Sequence, residues 1–222
     1  CPNAAEGEAF RTLRTALALT DGGTTERVVV SSSEPGDGKT TITSNLAVAC
    51  AQSGKRTLLV DADLRRPGLT PLLALKGERG LSTVLRAVEP VGTAAAANLC
   101  RSVVQNLDVL PSGPRPSHPA ELLAGERFSE LLAWAETRYD QIVIDSPPAV
   151  VSDTAIIGRL VDGVLLTVMP EKNRRRVVTR AAEGFSALGI RVLGVVVNCL
   201  AEDKAENYYG YNYGYGYGYG YE

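Results

Sequence analysis

The stretch "SEPGDGKT" (Ser33–Thr40) holds the residue types best suited to grip phosphate in this 222-residue chain. The general phosphate loop reads G-x-x-x-x-G-K-[ST]. Here Ser33 takes the first glycine's place, and Gly38, Lys39 and Thr40 close the pattern. A glycine at 38 lets successive backbone N–H groups face an anion, and the helix expected to start there adds its positive end. Lys39 would meet the β- and γ-phosphates of a nucleotide, and the Thr40 hydroxyl would ligate Mg²⁺. Pro35, Gly36, Asp37, Gly38, Lys39, Thr40 and Thr41 are therefore the candidate ATP-binding residues.

Two acidic clusters belong to the same chemistry. "LLVDADLRRP" gives Asp61 and Asp63 at the end of one apolar run, and "IVIDSPP" gives Asp145 at the end of another. Ligands of open α/β sheets lie beyond the carboxyl ends of the strands, so all three carboxylates are expected beside the phosphate loop. Asp145 suits Mg²⁺ from a Walker B strand. A strand-end aspartate also serves as a helix cap, and for Asp63 alone that reading stays open.

These residues need a frame. "RVVVSSS" (Arg27–Ser33) predicts a strand, "TTITSNLAVACAQSG" a helix stopped by Gly54, and "TLLVDAD" (Thr57–Asp63) a second strand. "LDVLPSG", "QIVIDSPP", "GVLLTVMP" and "IRVLGVVVN" read as further strands, separated by helical stretches such as "PAELLAGERFSELLAWAETR" and "RRRVVTRAAEGFSALG". Continuous apolar strands alternating with helices predict an α/β domain: a P-loop NTPase-like, mostly parallel sheet covered on both faces. We expect an N-terminal helical segment over 1–25, the domain over 26–200 and a tail over 201–222.

Composition narrows the alternatives. A formal charge of −2, from 23 basic and 25 acidic residues, gives no reason to expect nucleic acid or an anionic membrane. No apolar run approaches the roughly 18 residues of a membrane helix, and no signal peptide is visible. Cys1, Cys50, Cys100 and Cys199 are scattered, with a single histidine, His118. That argues against a disulfide framework or zinc site; Cys50 and Cys199 read as small core hydrophobes. Trp134 and Tyr139 read as core or rim. The start at Cys1 rather than Met suggests a piece of something longer, or a trimmed form.

The last sixteen residues, "NYYGYNYGYGYGYGYE", carry eight of the nine tyrosines. Glycine has nothing to bury, and alternation with tyrosine leaves half the positions empty, so this tail is not core and is expected to be disordered. Either it is sticky low-complexity sequence, or its tyrosines are a substrate.

Together these motifs resemble the bacterial tyrosine kinases, or BY-kinases, of capsule and exopolysaccharide export. The resemblance runs nearly end to end, through "EAFRTLRTAL", "SSEPGDGKTT", "LLVDADLRRP", "GLSTVL", "LDVLPSG", "HPAELL", "YDQIVIDSPP", "VLGVVVN" and the tyrosine-rich tail. The phosphate loop alone is unspecific; the paired-aspartate strand with "IDSPP" and a tyrosine cluster is specific. The resemblance implies an autokinase that uses ATP and Mg²⁺ to phosphorylate its own tyrosine cluster in trans. It implies Asp61 as base toward the incoming tyrosine, with Lys39 and Asp63 completing the catalytic set. Asp63 through water, Thr40, and Asp145 from the Walker B strand would hold Mg²⁺. Asn198 would contact adenine, and Tyr208, Tyr209, Tyr211, Tyr213, Tyr215, Tyr217, Tyr219 and Tyr221 would be the acceptors. The chemistry is sound independently: a phenol of pKa near 10 needs a positioned acceptor, and phosphoryl transfer otherwise needs geometry and positive charge.

"EAFRTLR" fits the family's E-x-x-R-x-x-R pattern with Glu8, Arg11 and Arg14, which implies a ring of subunits, an octamer in the family. An ordinary solvated helix with an internal Glu–Arg pair is the plainer reading. Further implied partners are a transmembrane activator (a domain or a separate protein), a tyrosine phosphatase and other protein substrates, with no nucleic acid. The implied location is the cytoplasmic side of the inner membrane, this fragment itself being soluble. "EKNRRR" (Glu171–Arg176) places cations where a helix should start, against the dipole. It reads either as an anion-docking patch or as a solvated charge run.

Two rivals have different consequences. Septum-positioning and partition ATPases carry K-G-G-x-G-K-[ST]; aligned on Lys39, their early lysine falls at Glu34 and its glycine at Pro35. Their dimer-activating lysine is thus missing, and they have no use for a tyrosine tail. The other rival is a nucleotide-binding adaptor whose tail self-associates.

Overall fold

The computed structural model describes residues 5–20, 25–75 and 77–200. The tail and its eight tyrosines lie outside the described residues. Helix α1 (Ala5–Leu19) precedes strand β1 (Arg27–Ser32), helix α2 (Lys39–Gln52) and strand β2 (Thr57–Asp61). Then come α3 (Leu69–Leu72), α4 (Leu81–Arg86), α5 (Val91–Asn98), the two-residue β3 (Cys100–Arg101) and β4 (Leu107–Leu110). The chain continues through α6 (Pro119–Ala124), α7 (Glu126–Glu136), β5 (Gln141–Asp145), α8 (Ser152–Gly158), β6 (Gly163–Val168), α9 (Arg175–Ala187) and β7 (Val192–Val197).

The strands form one sheet in the order β3-β4-β2-β5-β1-β6-β7. All neighbours are parallel except β3, which runs antiparallel to β4 at the edge. The expected mostly parallel sheet is therefore present. Strands β1, β2, β5 and β6 are buried almost throughout, which is why they read as unbroken apolar runs rather than alternations. One face packs on α2, with Phe10, Leu13 and Leu17 of α1 added outside it. The other face holds a larger cluster around Phe128, Leu81, Leu123, Leu131 and Ile144.

Three local expectations need correction. Strand β2 ends at Asp61, because the chain turns where Asp63 Oδ1 accepts the Arg66 N–H at 2.9 Å. The single helix expected over "PAELLAGERFSELLAWAETR" is two helices, broken at Gly125, whose φ −70° and ψ 155° are extended. Cys50 is buried as expected, but Cys199 is exposed. It follows β7, which among the described residues is an edge strand, where Val195 and Val197 are also exposed.

The "GLSTVL" and "LPSG" motifs meet. Gly80 bridges Ser112, the Leu81 N–H donates to Pro111 O at 2.7 Å, and the Ser82 N–H donates to Ser112 O at 2.9 Å. A Cβ on Gly80 would lie 2.1 Å from Pro111 O, a backbone atom that cannot swing away. Gly80→Ala is expected to destabilise the domain by about 1–3 kcal/mol. In urea unfolding the midpoint falls and the slope stays fixed; an unchanged midpoint refutes the clash.

Candidate functional site

Strand register brings the acidic clusters together. Asp61 and Asp145 are direct partners across β2 and β5, and β1 pairs Val30 with Asp145 on the other side. The loop after β1 therefore opens beside both carboxylates, at the carboxyl edge of the sheet. Gly38 starts α2 with φ 88° and ψ 16°, a left-handed conformation that favours glycine. A Cβ there would also strike the Asn198 side chain at 2.0 Å. Asn198 Nδ2 donates to Asp37 O at 3.0 Å, so the residue expected at adenine holds the loop backbone.

Lys39 reaches inward. Its Nζ lies 3.1 Å from Asp63 Oδ2 and 3.8 Å from Asp145 Oδ1, with a mostly buried side chain. The Thr40 hydroxyl donates to Asp145 Oδ2 at 2.7 Å, and Gly68 leaves room for it, since a Cβ there would sit 2.7 Å from Thr40 Oγ1. Lys39, Thr40, Asp63 and Asp145 thus converge as expected from sequence. Pro35, Gly36, Lys39, Asp63, Arg65 and Arg66, with Pro147, Pro148, Val150 and Val151, enclose a cavity of about 440 Å³.

Asp61 is held asymmetrically. Its Oδ2 accepts both the backbone N–H and the hydroxyl of Thr70, at 3.1 and 3.0 Å, while buried Oδ1 has no partner among the described residues. The Thr70 hydroxyl lies 3.2 Å from Ser112 Oγ, linking the "LPSG" loop to this carboxylate. Burial, and then the Asp145 charge, push Asp61 up to about 7 against the two Thr70 hydrogen bonds. Asp145 rises to about 6, chiefly through burial, with Lys39 and Thr40 opposing. A carboxylate with one anchored and one unpartnered oxygen, and a pKa near neutrality, suits general-base work.

The donors fit Mg²⁺. A threonine hydroxyl beside two carboxylates is a hard oxygen set, and among the described residues no group of three or more His, Cys, Asp or Glu forms a metal cage. Mg²⁺ uses one or two carboxylates, waters and substrate phosphates rather than such a cage.

The partners that hold the phosphate loop were not legible as site residues. Asp37 is fully buried and accepts from Glu34 N at 2.8 Å, from Lys172 Nζ at 2.7 Å and from Asn173 Nδ2 at 3.1 Å. Lys172 also donates to Pro35 O, and Asn173 to Glu34 Oε2 at 2.8 Å. Lys172 and Asn173 of the basic stretch, which follow β6, therefore brace the phosphate loop. Arg65 makes a two-point ion pair with buried Asp153 of α8, both contacts at 2.8 Å. The "DADLRRP" motif carried that arginine in view, but nothing near it named Asp153.

At the N-terminus, Arg11 pairs with Glu8 at 2.5 Å. Arg14 turns inward instead, donating to Ala49 O at 3.3 Å. The tyrosine outside the tail, Tyr139, is tied to Asp108 by a 2.9 Å hydrogen bond and packs against the core.

The model of a family described as ParA, an NUBPL iron-transfer P-loop NTPase, matches residues 23–209. The chain is 35% identical over 213 residues to tyrosine-protein kinase YwqD of Bacillus subtilis, covering 94% of this chain and 88% of that protein. This chain belongs to the bacterial tyrosine kinase family. It is also 36% identical over 208 residues to tyrosine-protein kinase wzc of Salmonella typhimurium, but spans only 28% of that longer protein. The solved kinase domain of Escherichia coli tyrosine kinase ETK superposes with a TM-score of 0.82 at 30% identity, covering 99% of this chain and 82% of that one. The P-loop NTPase fold of this family supplies a nucleotide-binding frame. Among the described residues, no helix is long and apolar enough to cross a membrane.

Proposed function

We propose that this chain is an ATP-dependent protein-tyrosine autokinase that phosphorylates the Tyr/Gly tail of a neighbouring subunit. The observation that carries this is Asp61: a buried carboxylate with one unpartnered oxygen, set beside Lys39, Asp63 and Asp145. When bound, Mg²⁺ would neutralise phosphate charge, held by Thr40, by Asp145 and, through water, by Asp63. Lys39 and the loop N–H groups bind and orient the β- and γ-phosphates. Asp61 Oδ1 takes the phenolic proton as the tyrosine oxygen bonds to the γ-phosphorus, the bond to the β-phosphate bridge breaks, and ADP leaves. Thr70 keeps Oδ2 occupied, which leaves Oδ1 as the oxygen assigned to the acceptor.

Asn198 is assigned to the adenine side, next to the loop it braces. The tail tyrosines Tyr208, Tyr209, Tyr211, Tyr213, Tyr215, Tyr217, Tyr219 and Tyr221 are assigned as acceptors. The family supports a role in capsule or exopolysaccharide export at the cytoplasmic face of the membrane. A transmembrane activator, a phosphatase and further protein substrates are the fitting partners. Incubation with MgATP and an anti-phosphotyrosine blot tests the reading directly. No signal, alongside measurable ATP hydrolysis, favours a partition-type ATPase.

Ring assembly is assigned to the Glu8–Arg11 face. Because Arg14 is engaged with Ala49 O, Glu8→Ala with Arg11→Ala probes the interface while keeping that tie between α1 and α2. The double variant is expected to sediment as a folded monomer; sedimentation identical to the parent removes this face from the assembly.

A further inference from the structure

A second cavity adjoins the site and shares Val150 with it. It measures about 530 Å³ and is lined mainly by apolar groups of α8, α9 and the preceding loop, among them Ala149, Ala155, Val177 and Phe185. Two features mark it as more than a gap between helices. Ser33 lines it, fully buried, with a hydroxyl that has no hydrogen-bond partner among the described residues. Arg176 and Arg180, one helical turn apart on α9, also line it and make no ion pair among the described residues.

An apolar slot with an unspent hydroxyl and two adjacent guanidinium groups is suited to an aromatic ring bearing an anion. The chain carries its own source. Residues 201–222 follow Leu200, close to Asn198, which touches the phosphate loop. Lys172 and Asn173, just before α9, touch that same loop. Most tail tyrosines recur every second residue, about 7 Å apart in an extended chain, and the two cavities share Val150.

We infer that this groove is a docking subsite for a phosphotyrosine of the tail, seating one modified residue while a neighbouring tyrosine enters the Asp61 site. The ring lies among the apolar residues and the phosphate pairs with Arg176 and Arg180, a planar two-guanidinium recognition suited to phosphate. A first phosphorylation then primes the next, which gives the regular repeat a purpose. The inference rests on the tail being the acceptor, but its test does not need the kinase to work.

The test uses full-length Lys39→Met protein and fluorescent synthetic tail peptides: unmodified, with one phosphotyrosine, and with phosphoserine at that position. Fluorescence anisotropy is expected to show tightest binding to the phosphotyrosine peptide. Arg176→Gln and Arg180→Gln each weaken it roughly three- to tenfold, between the ranges for exposed ion pairs and charged hydrogen bonds. Gly184 also lines the groove and has open space where a Cβ would go, so Gly184→Leu fills the slot without a clash and should block binding. Phosphoserine peptide binding as tightly as phosphotyrosine, or no effect of Gly184→Leu, overturns the subsite. So does a result in which the arginine variants lose sedimentation with phosphatidylserine vesicles yet keep peptide affinity, which assigns the patch to lipid.

Discussion

Asp61→Asn is expected to slow tyrosine phosphorylation by about 10²–10⁴, the usual contribution of a general base, with nucleotide affinity nearly unchanged. Asparagine keeps the shape, and its carbonyl can still accept from Thr70, so the loss falls on the proton acceptor. The same substitution should stabilise the fold. Burial raises Asp61 to about 7, so its favourable contribution is present below its unfolded pKa and is lost as pH rises through the folded one. Without nucleotide and with chelator, the variant should gain on the order of 2 kcal/mol over the parent at pH 8 and little at pH 4. Single-turnover labelling and thermal melts measure the two effects. A variant that loses nucleotide affinity as steeply as rate makes Asp61 a metal-site residue instead.

Lys39→Met should abolish autophosphorylation, since it removes the side chain that meets the transferring phosphate. Circular dichroism is expected to report an intact fold, because Lys39 lies at the carboxyl edge of the sheet and belongs to neither hydrophobic cluster. The inactive protein then becomes a reagent. The 22 residues from Ala201 to Glu222 span at most about 70–80 Å when fully extended, ample for an adjacent subunit. Mixing Lys39→Met protein bearing its tail with active protein truncated after Asn207 should label the inactive partner. Each phosphate adds about −1.5 to −2 charge, so four or five bring roughly −8 and drive labelled tails apart. An unlabelled inactive partner at every concentration, with full-length active protein labelled in a parallel reaction, rules out transfer between subunits.

What sequence made legible was whatever local pattern controls. Gly38, Lys39 and Thr40 sit in a fixed spacing, and Asp61 and Asp145 end apolar runs whose parallel pairing forces them side by side. Contacts between distant segments left no such trace. Thr70 on Asp61, Lys172 on Asp37 and Asp153 on Arg65 are set by how loops pack after the sheet forms. Gly125 could equally have sat inside a helix, and only the packing of α6 and α7 decides for a break. Cys199 looked internal beside "GVVV" because an edge strand and a central strand carry the same apolar letters.

The brace from Lys172 and Asn173 to the phosphate loop carries a thermodynamic consequence. Both residues directly precede α9, so the loop's backbone position and that helix's N-terminal position are one mechanical variable. A ligand that favours one arrangement of the loop therefore favours one placement of Arg176 and Arg180. Linkage makes the effect reciprocal: whatever factor nucleotide imposes on affinity at α9, occupancy at α9 returns to nucleotide.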